Sequence, residues 1–194
     1  MITSSEQQYI ELYEQARQVI FDHAPEAMNA VRDQAFEDFR RQGFPSKKVE
    51  RYKYTDMQQL FAPDSGLNLN RLHIPVEPYK AFRCDVPNLS TALFFVVNDE
   101  VFSPQTADNA QRHLPEGMIV DSLGRHPEIA SRYYAKIAAT GGDGVAALNT
   151  MLAQDALLIY VPRNTEVART VQVLNILRSD VDLMVNRRVL IVVE

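Results

Sequence analysis

A single cysteine, Cys84, is the whole thiol content of these 194 residues, so no internal disulfide can form and the disulfide-scaffold class is excluded. A reducing, cytoplasmic setting is the matching expectation. The histidines are also few: His23, His73, His113 and His126, no two of them four residues apart. With one cysteine and no paired histidines, a preformed zinc or cluster site is not expected. Seven glycines are few for a cofactor site that depends on close backbone approach. The one glycine-rich stretch, Thr140–Gly144, lacks the lysine and the Ser/Thr of a phosphate loop and reads as a helix stop followed by an aspartate cap. No Gly-x-Ser-x-Gly elbow and no His-Glu-x-x-His occur. No apolar run approaches the ~18 residues of a membrane span; the longest is Thr91–Val97. Met1–Gln7 shows neither the basic nor the apolar region of a signal peptide.

What the chain does carry is ordinary globular composition, 46% hydrophobic and 23% charged, with a formal net charge of −5. Against that mild acidity, residues 40–53 hold Arg40, Arg41, Lys47, Lys48, Arg51 and Lys53 with Glu50 as the only acid. Phe39, Phe44, Tyr52 and Tyr54 lie among these cations. Aromatics amid positive charge can bind single-stranded nucleic acid. The chain's isoelectric point near 5.4 argues against that class. Phe39 belongs to a helical apolar stripe, and Tyr52 and Tyr54 share one side of an extended segment that can pack inward. The structural reading therefore comes first, a protein-docking patch second and nucleic acid last.

Along the chain, Tyr9, Tyr13, Ala16 and Ile20 recur at helical spacing, with Ser4 or Ser5 as cap and Gln7 or Gln8 completing a capping box. Pro25 opens a second helix carrying Met28, Val31, Ala35 and Phe39, which Gly43 closes. The two form a helical hairpin. Thr55 or Asp56 caps a short helix to Phe61, and a connection rich in proline follows to Ser90. Ala92–Val97 reads as a strand that turns at Asn98-Asp99 into Val101-Phe102, and Met118–Val120 as a brief strand. Pro127 opens a helix through Ile129, Tyr133, Tyr134, Ile137 and Ala138 to Gly141-Gly142, and Asp143 caps another carrying Val145, Leu148, Met151 and Leu152. From Leu157 the pattern is strands only: Leu157–Val161, Val171–Leu177 and Arg188–Val193. Their 9- to 10-residue connections show no helical stripe. They fit either a β-helix coil or an irregular antiparallel sheet. The last strand ends the chain without cap or polar tail, so the expectation is a truncated product whose continuation supplies the next pairing strand, with self-association through the exposed edge as a consequence.

Several segments resemble the SufD family of the SUF iron–sulfur assembly system. Gly43-Phe44-Pro45, Lys48, Glu50 and Tyr52-Lys53-Tyr54-Thr55 are similar to its G-x-P…K-x-E-x-W-K-Y-T signature, with Tyr52 for the usual tryptophan. Phe94–Asp99 with Phe102-Ser103-Pro104, then Leu114–Gly117, resemble its F-V-N-G-x-F-S region. Ala146–Thr150, Ala153–Asp155 and Leu158–Pro162 resemble A-L-N-T-A…D-G-x-x-I-x-V-P, and Arg187–Glu194 resembles R-x-L-I-V-x-E. The resemblance spans about residues 30–194. It implies a non-enzymatic scaffold subunit that pairs with a SufB-like subunit and is worked by a SufC-like ATPase. It also implies an α+β chain: an N-terminal helical hairpin domain (1–62), a proline-rich connection (63–90), a mixed strand/helix segment (91–155) and the first coils of a right-handed parallel β-helix (156–194). The family's functional cysteine and histidine would lie beyond residue 194, so no position here inherits a cluster ligand or other cofactor, and no catalytic residue is assigned. The patch Arg40, Arg41, Lys47, Lys48, Arg51 and Lys53 is the candidate docking site; a stand-alone binding module using residues 40–53 for nucleic acid or protein is the alternative reading.

Overall fold

The computed structural model describes residues 4–70, 76, 78, 91–102, 114–177 and 183–194. Cys84, His73, His113 and most of the proline-rich connection lie outside them.

Helix α1 (Ser4–His23) and helix α2 (Glu26–Gln42) follow the apolar spacing of the sequence, and Pro25 stands at the break between them with φ −59°. Ser4 and Ser5, the expected caps, are the first described residues and already lie within α1. Tyr9, Ile10, Tyr13, Ala16 and Ile20 of α1 face Phe36 and Phe39 of α2. Yet α2 packs most extensively not on α1 but on helix α5 (Gly144–Leu152), which contributes Ala147, Leu148, Met151 and Leu152 to the same core. A short helix α3 (Met57–Leu60) adds Met57, and the Asp56 side chain caps it by accepting from the Gln59 N–H at 3.1 Å.

Two three-stranded mixed sheets follow. In the first, β1 (Ala92–Val97) lies between β2 (Glu100–Phe102), antiparallel, and β5 (Val171–Ile176), parallel. The expected turn is there, with Asn98 at φ 56°, a conformation asparagine tolerates. In the second, β4 (Leu157–Val161) lies between β3 (Ile119–Ser122), antiparallel, and β6 (Val189–Val193), parallel. The fold is α+β, as expected.

Alternation along β4 sets the layering. Leu158 points into a core with Met28, Leu123, Ala130, Tyr134, Ala153 and Val192, so the second sheet is backed by helices. Leu157 points the other way and meets Ala92, Phe94, Val96, Met118 and Val120, which joins the two sheets face to face. The order is helices, sheet β3-β4-β6, sheet β2-β1-β5. On β6 the residues in register with Leu157, Ile159 and Val161 are Val189, Ile191 and Val193, and they are 51%, 62% and 72% exposed. The first sheet thus stops short of β6.

One expected helix is shorter than its sequence pattern. Helix α4 (Pro127–Tyr133) ends where Tyr134 turns extended and Ala135 takes φ 57°. Ile137, placed by spacing on an inward stripe, is 95% exposed instead.

Candidate functional site

The two segments richest in family-like residues, 43–55 and 143–155, meet at the C-terminal end of α2. Gly43 closes α2 at φ 61°, and its N–H donates to the Phe39 carbonyl at 2.8 Å. A Cβ at Gly43 would lie 2.3 Å from Glu6 Oε1, and one at Gly144 only 1.8 Å from the Gly43 carbonyl oxygen. Gly144 is therefore required by its close approach to backbone, and Gly43 by its positive φ. Buried Glu6 accepts the Phe44 N–H at 2.7 Å, which turns Phe44 inward. There its ring stacks on Phe61 (4.8 Å) and meets Phe39 edge-on (5.2 Å).

Two carboxylates organise the junction. Asp143 caps α5 through Oδ1, which accepts from the Val145 and Ala146 N–H groups at 2.9 and 3.3 Å. Its Oδ2 accepts from the Tyr52 hydroxyl at 2.7 Å and from Arg51 at 3.0 Å. Burial, and then the hydrogen bond to Asp143, raise the Tyr52 pKa. Asp38 accepts from the Thr140 hydroxyl at 2.6 Å, from Gln34 at 3.2 Å and from Arg41. Thr140 is the main cause of its lowered pKa, working against burial and assisted by Gln34 and Arg41. The Gln42 amide donates to the Thr140 carbonyl at 2.6 Å. Residues 140–143 are thereby tied both to α2 and to the 50–52 turn.

Five of the six cations of the candidate patch are ion-paired within the fold. Arg40 pairs with Glu37 (2.7 Å), Arg41 with Asp38, Lys47 with Asp56 (3.1 Å), Arg51 with Asp143 (3.0 Å) and Lys53 with Glu50 (2.6 Å). Among the described residues Lys48 has no ion-pair partner. Phe39 and Phe44 are buried, as the inward reading expects. Tyr52 and Tyr54 do not share a face, because residues 50–52 form a 3₁₀ turn rather than an extended segment. Tyr52 reaches Asp143, whereas Tyr54 is 89% exposed, with Lys53 Nζ 5.0 Å from its ring centre.

Sequence reasoning missed a second polar cluster beneath the junction. Arg32 is fully buried and donates to the carbonyls of Thr150 (3.4 Å) and Met151 (2.7 Å) and to Asn29 (3.1 Å). A cation is well placed at the C-terminal end of α5, although burial pushes its pKa down to about 10. Arg188, leading into β6, donates to Asn149 (3.1 Å) and Thr150 Oγ1 (2.9 Å) on the same turn. Two arginines from distant parts of the chain grip one helix end. The available signal was position: Arg32 sits on the stripe of Met28, Ala35, Phe36 and Phe39, where an exposed arginine has no place.

No grouping of three or more His, Cys, Asp or Glu able to hold a metal exists among the described residues. His126 lies 3.2 Å from Asp121 beside a cleft of about 380 Å³, and Arg125 takes the other Asp121 oxygen at 3.1 Å. The three tie the turn between β3 and α4. No described helix is long and apolar enough to cross a membrane. The junction holds distant chain segments together, with five of the six cations of the patch paired within the fold.

Compared with known families, residues 3–173 match the model of the SufBD protein N-terminal region. No curated protein matches the chain.

Proposed function

Because the chain belongs to the SufB/SufD family, we propose that it serves SUF iron–sulfur cluster assembly as a non-enzymatic scaffold of the SufD type, through association with a SufB-like subunit and a SufC-like ATPase. The family match carries the reading, and the meeting of segments 43–55 and 143–155 supports it: residues of the resemblance that lie far apart in sequence are spent on one rigid junction. The sheets support a β-helical continuation of the fold. β1–β5 and β4–β6 are both parallel pairs, and the chain passes from the second sheet through β5 in the first and back to β6. The bare face of Val189, Ile191 and Val193 is the side that β1 covers on β4. A strand added beside β5 would cover it, which is how a solenoid grows. We place the protein in the cytoplasm on the same family grounds.

Depleting the protein in its source cell tests this. Enzymes that depend on iron–sulfur clusters should lose activity, while the purified chain shows no visible cluster absorbance and no turnover. Unchanged iron–sulfur enzymes after depletion would refute the assignment. Salt-sensitive binding of oligonucleotides by residues 40–53 would favour the stand-alone binding module instead.

A further inference from the structure

We propose that the cleft between the first half of α2 and α4 is a docking groove for an amphipathic helix of a partner protein, one that carries a basic side chain at one end of its apolar face and an acidic one at the other. The inference rests on the reading of this chain as a subunit that works by protein association, and it names the shape and chemistry of one partner.

The cleft encloses about 330 Å³, with Ala27, Ala30 and Val31 of α2 on one side and Pro127, Ala130 and Tyr134 of the α4 segment on the other. The two helices start together and run the same way. Pro25 stands beside the turn into α4, where a Cβ at Gly124 would lie 3.3 Å from its ring. At the far end Arg188 lies against the Tyr134 ring, 5.4 Å from its centre, and bonds Thr150, the residue that Arg32 of α2 also grips. Short side chains leave a furrow along this pair that larger ones would fill. Its floor is fixed, because Ala27, Val31, Ala130 and Tyr134 also pack onto the core of Met28, Leu123 and Leu158. A furrow between two helices seats a third, whose ridge of side chains drops into it.

Charge selects the partner. Glu26 and Lys136 are the only charged side chains that line the cleft; both are exposed, and neither has an ion-pair partner among the described residues. Other charges nearby are engaged: Asp33 by Arg17 at 2.7 Å and Arg132 by Glu194 at 3.6 Å. Glu128 lines a neighbouring cleft with Arg125 and His126. Glu26 follows Pro25 at one end and Lys136 follows Tyr134 at the other, so opposite charges stand a helix length apart, about 10 Å at 1.5 Å per residue. That is the spacing of positions i and i+7 on one face of a helix. A lysine over Glu26 and a glutamate over Lys136, with leucines between them over the alanines, match the groove in charge and polarity together. A uniformly acidic or basic helix meets repulsion at one end.

The test is a titration of the ¹⁵N-labelled chain, followed by amide spectra, with four probes. The first is an alanine-based helical peptide with Lys, Leu, Leu and Glu at positions i, i+3, i+4 and i+7. The second and third carry Glu at both charged positions or Lys at both, and the fourth is ε-aminocaproate, a small molecule with the same two end charges. The mixed peptide should shift the amides of residues 26–31 and 128–136 and bind more tightly than the other three. Glu26→Lys should turn the preference toward the all-Glu peptide by about fivefold, and Lys136→Glu toward the all-Lys peptide by a similar factor. Ala30→Gln fills the furrow and should weaken the mixed peptide about tenfold. All three positions are exposed, so these variants keep the fold. Absent shifts, shifts confined to other regions, equal binding of the three peptides, indifference to the substitutions, or tighter binding of ε-aminocaproate would each overturn the proposal. The depletion experiment above fails or succeeds separately, since it reads iron–sulfur enzymes and not this groove.

Discussion

Replacing Gly144 with alanine adds one methyl group at a point where the Gly43 carbonyl oxygen would stand 1.8 Å away and its carbon 2.9 Å away. Both are backbone atoms, so no rotamer change relieves the contact. A non-bonded carbon needs roughly 3.5 Å, and α5 must back away from α2 by at least ~1 Å. Overpacking of this kind costs about 1–3 kcal/mol. The shift also weakens the bonds that Asp143 makes to Val145, Ala146, Tyr52 and Arg51, adding about 1–2 kcal/mol. Alanine's better helix propensity returns up to about 1 kcal/mol. The net expectation is a loss of about 1–5 kcal/mol. With a urea m value of about 2 kcal/mol/M, the midpoint falls by about 0.5–2.5 M. Gly142→Ala is the control: its Cβ would meet nothing within 4 Å, so stability should stay within about 0.5 kcal/mol. If Gly144→Ala is as stable as the parent, or gains what helix propensity alone supplies, the close approach of α2 and α5 is not real.

Other expectations follow from the same geometry. Asp38 has a folded pKa below its ordinary 3.8, chiefly through Thr140. Its contribution to stability is present above that ordinary value and is lost as pH falls through the lower folded one. Thr140→Val should therefore move acid unfolding, followed by circular dichroism, to higher pH, and an unmoved midpoint would refute the link. Arg32→Met should cost about 2–4 kcal/mol in thermal melts by leaving the buried carbonyls of Thr150 and Met151 without their donor. Arg32→Lys should recover part of that loss. Ile191→Lys places a charge on the bare apolar face of β6 and should reduce concentration-dependent light scattering; unchanged scattering would remove that face as the route of self-association.

Local signals were read well where local physics decides. Asp143 and Asp56 cap the helices that follow them, and Asn98-Asp99 turns the hairpin, because each choice is made within a few residues. The Ile137 stripe misled because the helix stops at a left-handed alanine, which no residue type announces. The basic patch looked open because charge was counted along the chain. Arg51 finds its acid 92 positions away, and Arg41 relies on an aspartate fixed by Thr140, 102 positions from it. Strand existence was legible from composition, whereas the parallel pairing of β1 with β5 was not, since it joins segments separated, among the described residues, by two α-helices and three other strands.

The sharing of one core by α1, α2 and α5 has a temporal side. On a ribosome the first two helices emerge roughly a hundred residues before the helix that completes their packing. At about 5–20 residues per second, Phe39 and Phe44 wait on the order of 5–20 s for their remaining neighbours. During that interval the nascent chain carries an unfinished aromatic cluster, and a holding chaperone would find its natural substrate there.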